Sequence, residues 1–256
     1  MEDVLTEEWP EEGVVIVRLH RPAVYNALNL DLRRALAAAF SRFDADPKAR
    51  AIVLAGSEKA FCAGADLNEY VNANPVEIIE RQMDALWGAI SACRKPVIAA
   101  VRGHALGGGC ELAMHADIIV AGHSANFAQP EVLLGLMPGG GATQRLTRVV
   151  GKFRAMKLLL TGERFTAEQA LAWGLISDLV ADEAVEPMAV EIAKKLASGP
   201  HLAQMFIKEA VLESMNSPLD RGLQMERKSF QLLFATGDKR EGIQARLEKR
   251  SPRFAS

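Results

Sequence analysis

Short runs of apolar, largely β-branched residues restrict the fold of this chain more than any other feature. They are Val14 to Leu19, Ala51 to Leu54, Pro96 to Val101 and Asp117 to Ala121. Each is too short for a stable helix and is bounded by turn residues, so each reads as a strand. They carry almost no polar alternation, as expected of strands covered on both faces. Helical stretches lie between them. Asp31 to Phe43 is rich in Leu, Ala and Arg and exits at Pro47, a longer stretch runs from Pro75 to Cys93, and Gly107 to His115 follows a glycine cluster. Strands alternating with helices predict an α/β fold with mostly parallel pairing.

From about Gly141 the pattern turns helical. Thr166 with Gln169 forms a capping box, and Gly174 is a stop. Leu175 to Val180 reads as one last strand. Beyond Glu183 only helices are expected, broken near Gly199-Pro200, Ser217-Pro218 and Gly237-Asp238. The expected division is a core over residues 1–195 and a helical region over 196–256. The sequence shows no internal repeat and no low-complexity linker.

Composition narrows the function. Hydrophobic residues make up 49% of the 256 and charged residues 24%, with a formal net charge of −2. That balance supports a large core and gives no reason to expect nucleic acid or an anionic membrane as partner. The most apolar stretch, Pro96 to Gly109, is interrupted by Arg102 and His104 and is too short to span a bilayer. The acidic N-terminus (Glu2, Asp3, Glu7, Glu8, Glu11, Glu12) is unlike a secretory or transit signal, so a cytoplasmic protein is expected. Cys62, Cys93 and Cys110 do not make a disulfide framework.

Chemistry concentrates in four segments. In Ala60 to Leu67, small residues around Gly64 let the backbone approach a ligand, although a plain turn would look the same. In Gly103 to Ala113, Gly107, Gly108 and Gly109 lie between a strand and a helix. Free N–H groups at such a start can hold a developing oxyanion; close helix–strand packing is the competing reading. Glu111 follows in the first turn among Cys110, Leu112, Ala113 and Met114, company that implies burial. In Phe127 to Gly135, Glu131 is again a lone acid in an apolar run. Pro138 to Leu146 is another glycine-rich helix start, with Thr143 and Gln144 able to satisfy backbone donors.

Other candidates are weaker. Glu111 and His115 stand one helical turn apart but lack a third metal ligand, so no metal is expected. Cys110 has no base spaced for it and reads as packing. No nucleotide-binding glycine motif and no G-x-S-x-G are present. The cluster Lys239, Arg240, Arg246, Lys249, Arg250 and Arg253 reads as a solvated face, or as a contact for ligand phosphates or a neighbouring subunit.

Taken together, Ala63-Gly64-Ala65-Asp66, Ala105 to Ala113 and Gln129-Pro130-Glu131 resemble the crotonase (enoyl-CoA hydratase/isomerase) superfamily in order and spacing. The resemblance begins near Val14, passes through Arg21-Pro22 and Asn26-Ala27-Leu28, and covers essentially the whole chain. It implies a ClpP-like spiral of ββα repeats with a C-terminal helical region that builds trimers or hexamers. It also implies an acyl-CoA thioester ligand and no separate cofactor. By analogy, the N–H groups of Ala65 and Gly108 form the oxyanion hole. Ala63, Asp66, Leu67 and Asn68 lie along the CoA arm, and the Gly139 N–H places the water. Carboxylates at both Glu111 and Glu131 match the hydratases. Glu111 is assigned to activate water and Glu131 to protonate C2, since two neighbouring carboxyls in an apolar pocket resist double ionisation.

The expected reaction is syn addition of water to a trans-2-enoyl-CoA, giving a 3-hydroxyacyl-CoA. The alternatives are a Δ3,Δ2-enoyl-CoA isomerase, or a hydratase of a functionalised acyl-CoA in aromatic or branched-chain catabolism. Some relatives bind RNA through a lysine-rich helix, but the first long helix here offers only Arg33, Arg34 and Arg42. Ala142 stands where the family pattern has glycine, which bears on the shape of the acyl pocket.

Overall fold

The computed structural model describes residues 4–255; Glu2 and Asp3 of the acidic N-terminus lie outside them. In chain order the strands are β1 (Leu5–Glu11), β2 (Val14–Leu19), β3 (Ala51–Ala55), β4 (Ala60–Cys62), β5 (Val97–Val101), β6 (His104–Leu106), β7 (Ile118–Gly122), β8 (Asn126–Ala128), β9 (Phe165–Thr166) and β10 (Asp178–Val180). The helices are α1 (Leu30–Ala45), α2 (Pro75–Glu80), α3 (Met83–Ser91), α4 (Gly108–Met114), α5 (Ala142–Val150), α6 (Lys152–Thr161), α7 (Ala167–Ala172), α8 (Val185–Ala197), α9 (His201–Glu213), α10 (Leu219–Leu233) and α11 (Gly237–Leu247).

Two sheets form. The larger has the order β1-β2-β3-β5-β7-β10 and the smaller β4-β6-β8-β9. All neighbours in the larger sheet are parallel except β1 with β2. The pairs β3–β4, β5–β6 and β7–β8 each place one strand in each sheet before the chain turns back. This is the spiral that the resemblance implies. The repeat lies in the topology and leaves no trace of sequence similarity.

Residue alternation along the buried strands sorts side chains onto two cores. Val15, Val17, Ile52, Leu54, Val97, Ala99, Ile119 and Ala121 enter the main core with α1, α3 and α4. Val14, Ile16, Val53, Ile98 and Val120 face outward, where Val185, Ala189 and Ala193 of α8 cover them. Double coverage explains why these strands read as unbroken apolar runs. Helix α1 starts at Asn29, whose side chain accepts from the Leu32 N–H at 3.0 Å. It buries Leu32, Leu36, Phe40 and Phe43 at helical spacing. Truncating Leu32 to alanine would cost about 2–5 kcal/mol.

Two expectations need correction. The stretch Pro75 to Cys93 is two helices, broken at Gln82 in a left-handed conformation (φ 48°). The break leaves α2 without a buried residue while α3 turns Trp87 and Ile90 inward. The last strand is only Asp178–Val180, because Leu175 and Ile176 are spent on the core. Strand β1 was not expected. It is an exposed edge strand, and edges tolerate its charges and Pro10. The capping box of Thr166 with Gln169 forms as expected, and the helical breaks after residue 183 fall where the sequence puts them.

Candidate active site

Helix α4 is buried along its whole length, and Glu111 in its first turn is 3% exposed. Its carboxylate meets the loop before α5. Oε1 accepts from the Gly140 N–H at 2.7 Å and from the Ala142 N–H at 3.0 Å. A Cβ at Gly140 would sit 2.7 Å from Oε2 and 2.9 Å from the Trp87 ring, so only glycine allows this approach. Burial pushes the Glu111 carboxyl above its ordinary range, while the amides of Ala142 and Gly140 and the charge of Arg33 pull it back part of the way.

The Gly140 peptide is held from its other side. His115 Nε2 lies 3.0 Å from the Gly140 carbonyl, and Nδ1 lies 2.6 Å from Ser91 Oγ. Burial, helped by Arg145, lowers His115 to about 4. The ring is therefore neutral at pH 7. The carbonyl can only accept, which assigns the proton to Nε2 and leaves Nδ1 to accept from the Ser91 hydroxyl. Arg145 donates to the same hydroxyl at 3.2 Å, and Trp87 stacks on the His115 ring at 5.0 Å. His115 thus braces the peptide that braces Glu111.

Glu131 arrives on a short 3-10 helix, Pro130–Leu134, directly after β8. It is half-buried. A Cβ at Gly107, the N-cap of α4 with φ 50° and ψ −122°, would lie 2.7 Å from Glu131 Oε1. The second acid therefore stands against the start of the helix that carries the first. Burial raises Glu131 to about 7, and the nearby Glu111 charge pushes the same way. Gln129, fully buried, is assigned with its amide nitrogen toward Glu131, where it donates to both carboxylate oxygens at 3.3 Å.

A pair of backbone amides lies beside the acids. Residue 65 bridges Leu28: the Leu28 N–H donates to Gly64 at 2.7 Å and the Asp66 N–H donates to Leu28 at 3.1 Å. The Ala65 N–H itself, and the Gly108 N–H at the first position of α4, find no acceptor among the described residues. A Cβ at Gly108 would be 3.8 Å from the Ala65 nitrogen, so the two amides are close neighbours. Each reading of the glycine run holds at a different residue. Gly109 serves packing, since a Cβ there would meet the Cys62 carbonyl at 2.0 Å, whereas Gly107 and Gly108 leave room beside Glu131 and the free amides.

The remaining candidates fall around this centre. Ala63 donates its N–H to Tyr25 at 3.0 Å. Asp66 pairs with Arg21 at 3.1 Å and caps the turn Leu67–Glu69 through the Asn68 N–H at 3.3 Å. Leu67 and Asn68 are exposed on that turn, and Gly139 is exposed next to Gly140. Ala142 is fully buried and contributes the amide already noted. Cys62 and Cys110 are buried thiols pushed up by burial, Cys62 to about 12, which suits packing. In the tail, Arg250 is bound by Glu241 and Glu248, and Lys239 and Arg240 line a groove on α11.

Arg21, Trp87, His115 and Gln129 have structural parts in the site that sequence reading did not assign. Each acts across a long sequence separation, and none stands in an unusual local pattern.

The doubled spiral of β3–β4, β5–β6 and β7–β8, with two acids converging on one helix start, is the architecture of crotonase-fold proteins. A solved structure described as "enoyl-CoA hydrates subunit I" from Geobacillus kaustophilus HTA426 superposes with a TM-score of 0.95 at 44% identity, covering 98% of each chain. The chain belongs to the enoyl-CoA hydratase/isomerase (crotonase) family, whose sequence pattern matches residues 10–256. It is 48% identical to a probable enoyl-CoA hydratase of Rhizobium meliloti (strain 1021), over 94% of both chains. It is 43% identical to the 2,3-dehydroadipyl-CoA hydratase of Escherichia coli (strain K12), over 95% of this chain and 96% of that one.

Proposed function

We propose that this protein is an enoyl-CoA hydratase, adding water syn across a trans-2-enoyl-CoA to give a 3-hydroxyacyl-CoA. The observation that carries the reading is the convergence of Glu111 and Glu131 on the start of α4, beside the free amides of Ala65 and Gly108. In this reading the thioester carbonyl sits on those two amides. Negative charge grows on its oxygen as water attacks, and losing one such donor typically costs about 2.7–4 kcal/mol of barrier. The water oxygen bonds to C3 and its proton passes to Glu111. The C2=C3 π pair takes a proton from Glu131 at C2. Proton return to Glu131 resets the pair.

The environments support these roles. Glu111 is braced by amide donors and felt by a cation, both of which favour carboxylate. Glu131, raised to about 7, holds a proton up to about neutral pH and can give it to C2. The Gly139 N–H, exposed next to Gly140, is assigned to hold the water, and Ala63, Asp66, Leu67 and Asn68 to follow the CoA arm. Acids and amides supply every proton and charge that the addition needs, so the proposal invokes no metal or organic cofactor.

The assembly is assigned as a trimer or a pair of trimers. Among the described residues of α9 and α10 none is buried, while Val211, Met215, Leu219, Phe230, Leu232 and Phe234 are exposed. An apolar surface of that kind calls for a partner, which sedimentation would detect. Three free, buried cysteines suit a reducing compartment, in keeping with a cytoplasmic protein. Among the described residues no helix is long and apolar enough to cross a membrane.

Incubation with crotonyl-CoA tests the activity. Loss of the conjugated-thioester absorbance with formation of 3-hydroxybutyryl-CoA is expected. Persistent absorbance alongside efficient conversion of a 3-enoyl-CoA to its 2-enoyl isomer would replace hydration by isomerisation.

A further inference from the structure

One buried charge is left over by this chemistry. Arg33, on α1, is 7% exposed. Among the described residues its side chain makes no ion pair and no hydrogen bond; its one close polar-to-aromatic contact is with Trp87, whose ring centroid lies 5.4 Å from its Cζ. The nearest acids are committed elsewhere. Both oxygens of Glu69 take the Leu30 N–H, at 3.0 and 3.1 Å, and Glu111 Oε1 takes the amides of Gly140 and Ala142. Burial pushes Arg33 below its usual value, yet a guanidinium keeps its proton in proteins. A buried cation without an anion is costly, and such a group needs a partner or a task.

Its position indicates the task. Arg33 Nη2 is 3.9 Å from where a Cβ at Gly108 would stand, so the guanidinium borders the amide pair assigned to the thioester oxygen. Trp87, which it covers, lies against Gly140 and the Glu111 carboxylate. The gap beside Arg33 is small, about 10 Å³, and is otherwise lined by Leu28, Leu36, Leu86, Trp87 and Ile90. That is room for about one water, so an acyl chain reaches the guanidinium only by parting these apolar side chains, which exclude the CoA phosphates because those need a solvated face. A single charge among apolar side chains calls for an anion carried on the acyl chain. The paired donors of a guanidinium match a carboxylate best.

We propose that Arg33 is a specificity residue that takes a carboxylate on the acyl chain beyond C3, making carboxylated 2-enoyl-CoAs the preferred substrates. The assignment rests on the hydratase reading above for where the chain lies. Its test uses a saturated pair that cannot react, so that binding is read apart from turnover.

Adipyl-CoA and hexanoyl-CoA differ at the terminal group and are titrated calorimetrically into the full-length protein. Wild type is expected to bind adipyl-CoA at least tenfold more tightly. Arg33→Met is expected to bring that ratio to near one, and Arg33→Lys to an intermediate value. The matching 2-enoyl thioesters should show the same loss of preference in kcat/KM. Equal affinity of wild type for the two saturated thioesters overturns the assignment, as does an undiminished ratio in Arg33→Met. Should Arg33→Met not fold, the wild-type and Arg33→Lys ratios still decide. A preserved adipyl-CoA preference with no hydration of either enoyl thioester would discard the hydratase reading and keep the Arg33 assignment.

Discussion

Glu111 and Glu131 reach the same helix start by different means, and the contrast explains how two chemically identical groups can do opposite work. The Glu111 region is rigid by construction: a wholly buried helix, a carboxylate gripped by two loop amides, and a histidine holding the peptide that provides one of them. The Glu131 region is a short 3-10 helix whose Leu133 and Leu134, like Leu136 and Met137 just beyond it, are exposed. Burial and the Glu111 charge raise its carboxyl, with only its own backbone amide and the Gln129 amide against them. Desolvation opposes charge in both places, but in the first two loop amides and a cation offset part of it.

The largest test of this contrast removes the braced acid. Glu111→Gln should lower kcat on crotonyl-CoA by about 10²–10⁴-fold, the usual worth of a general base. Thermal melting should stay near or above that of wild type, because burial already disfavours the carboxylate. Turnover within a few-fold of wild type would remove Glu111 from the chemistry.

A smaller loss is expected from disturbing the brace alone. Gly140→Ala places a methyl against Glu111 Oε2 and Trp87. Displacing a catalytic group by such a distance can cost about 10²-fold. The loss should appear in kcat with KM nearly unchanged. An equal loss in Gly139→Ala, where a Cβ would meet nothing within 4 Å, would argue that the loop as a whole, and not the Glu111 contact, is what matters.

Weaker still should be His115→Phe. It keeps the stacking on Trp87 but drops the contact with the Gly140 carbonyl. Kinetics should show a kcat defect smaller than that of Gly140→Ala. Because His115 is already neutral, the pH profile should keep its shape. A profile that loses a limb in this variant would give His115 a proton-transfer role instead.

The subtlest consequence is in stability. Folding raises Glu131 from 4.5 to about 7, so between those values the folded chain holds a proton that the unfolded chain has released. The stabilisation is complete below the unfolded value and is lost as pH climbs through about 7. Glu131→Gln does not titrate. Its melting temperature relative to wild type should therefore rise from pH 4.5 to pH 8, and a constant difference would place Glu131 in ordinary solvent.

The strongest signals in the sequence were those with a local cause. Strands covered on both faces must be continuously apolar, so β2, β3, β5 and β7 stand out. Glu111 and Glu131 stand out because a lone acid in an apolar run has few harmless explanations. The glycine runs are conspicuous in the sequence, but only the folded arrangement assigns Gly109 to packing and Gly107 to the space beside Glu131. What was hidden has non-local causes. Strands β4, β6, β8 and β9 are two or three residues long and exist through partners far along the chain. The brace from Ser91 through His115 to Gly140 joins residues that no spacing rule connects. Arg33 sits at an interior position of an ordinary amphipathic helix, and its lack of a partner is visible only in space.

The most direct test of the division of labour is the pH dependence of kcat/KM for crotonyl-CoA hydration, measured for wild type and Glu131→Gln. Wild type should lose activity as pH rises through about 7, because the C2 proton donor is then ionised. The residual activity of Glu131→Gln should lack that limb. A wild-type rate that is level across neutrality, or a falling limb that survives in Glu131→Gln, would contradict the assignment of the proton donor.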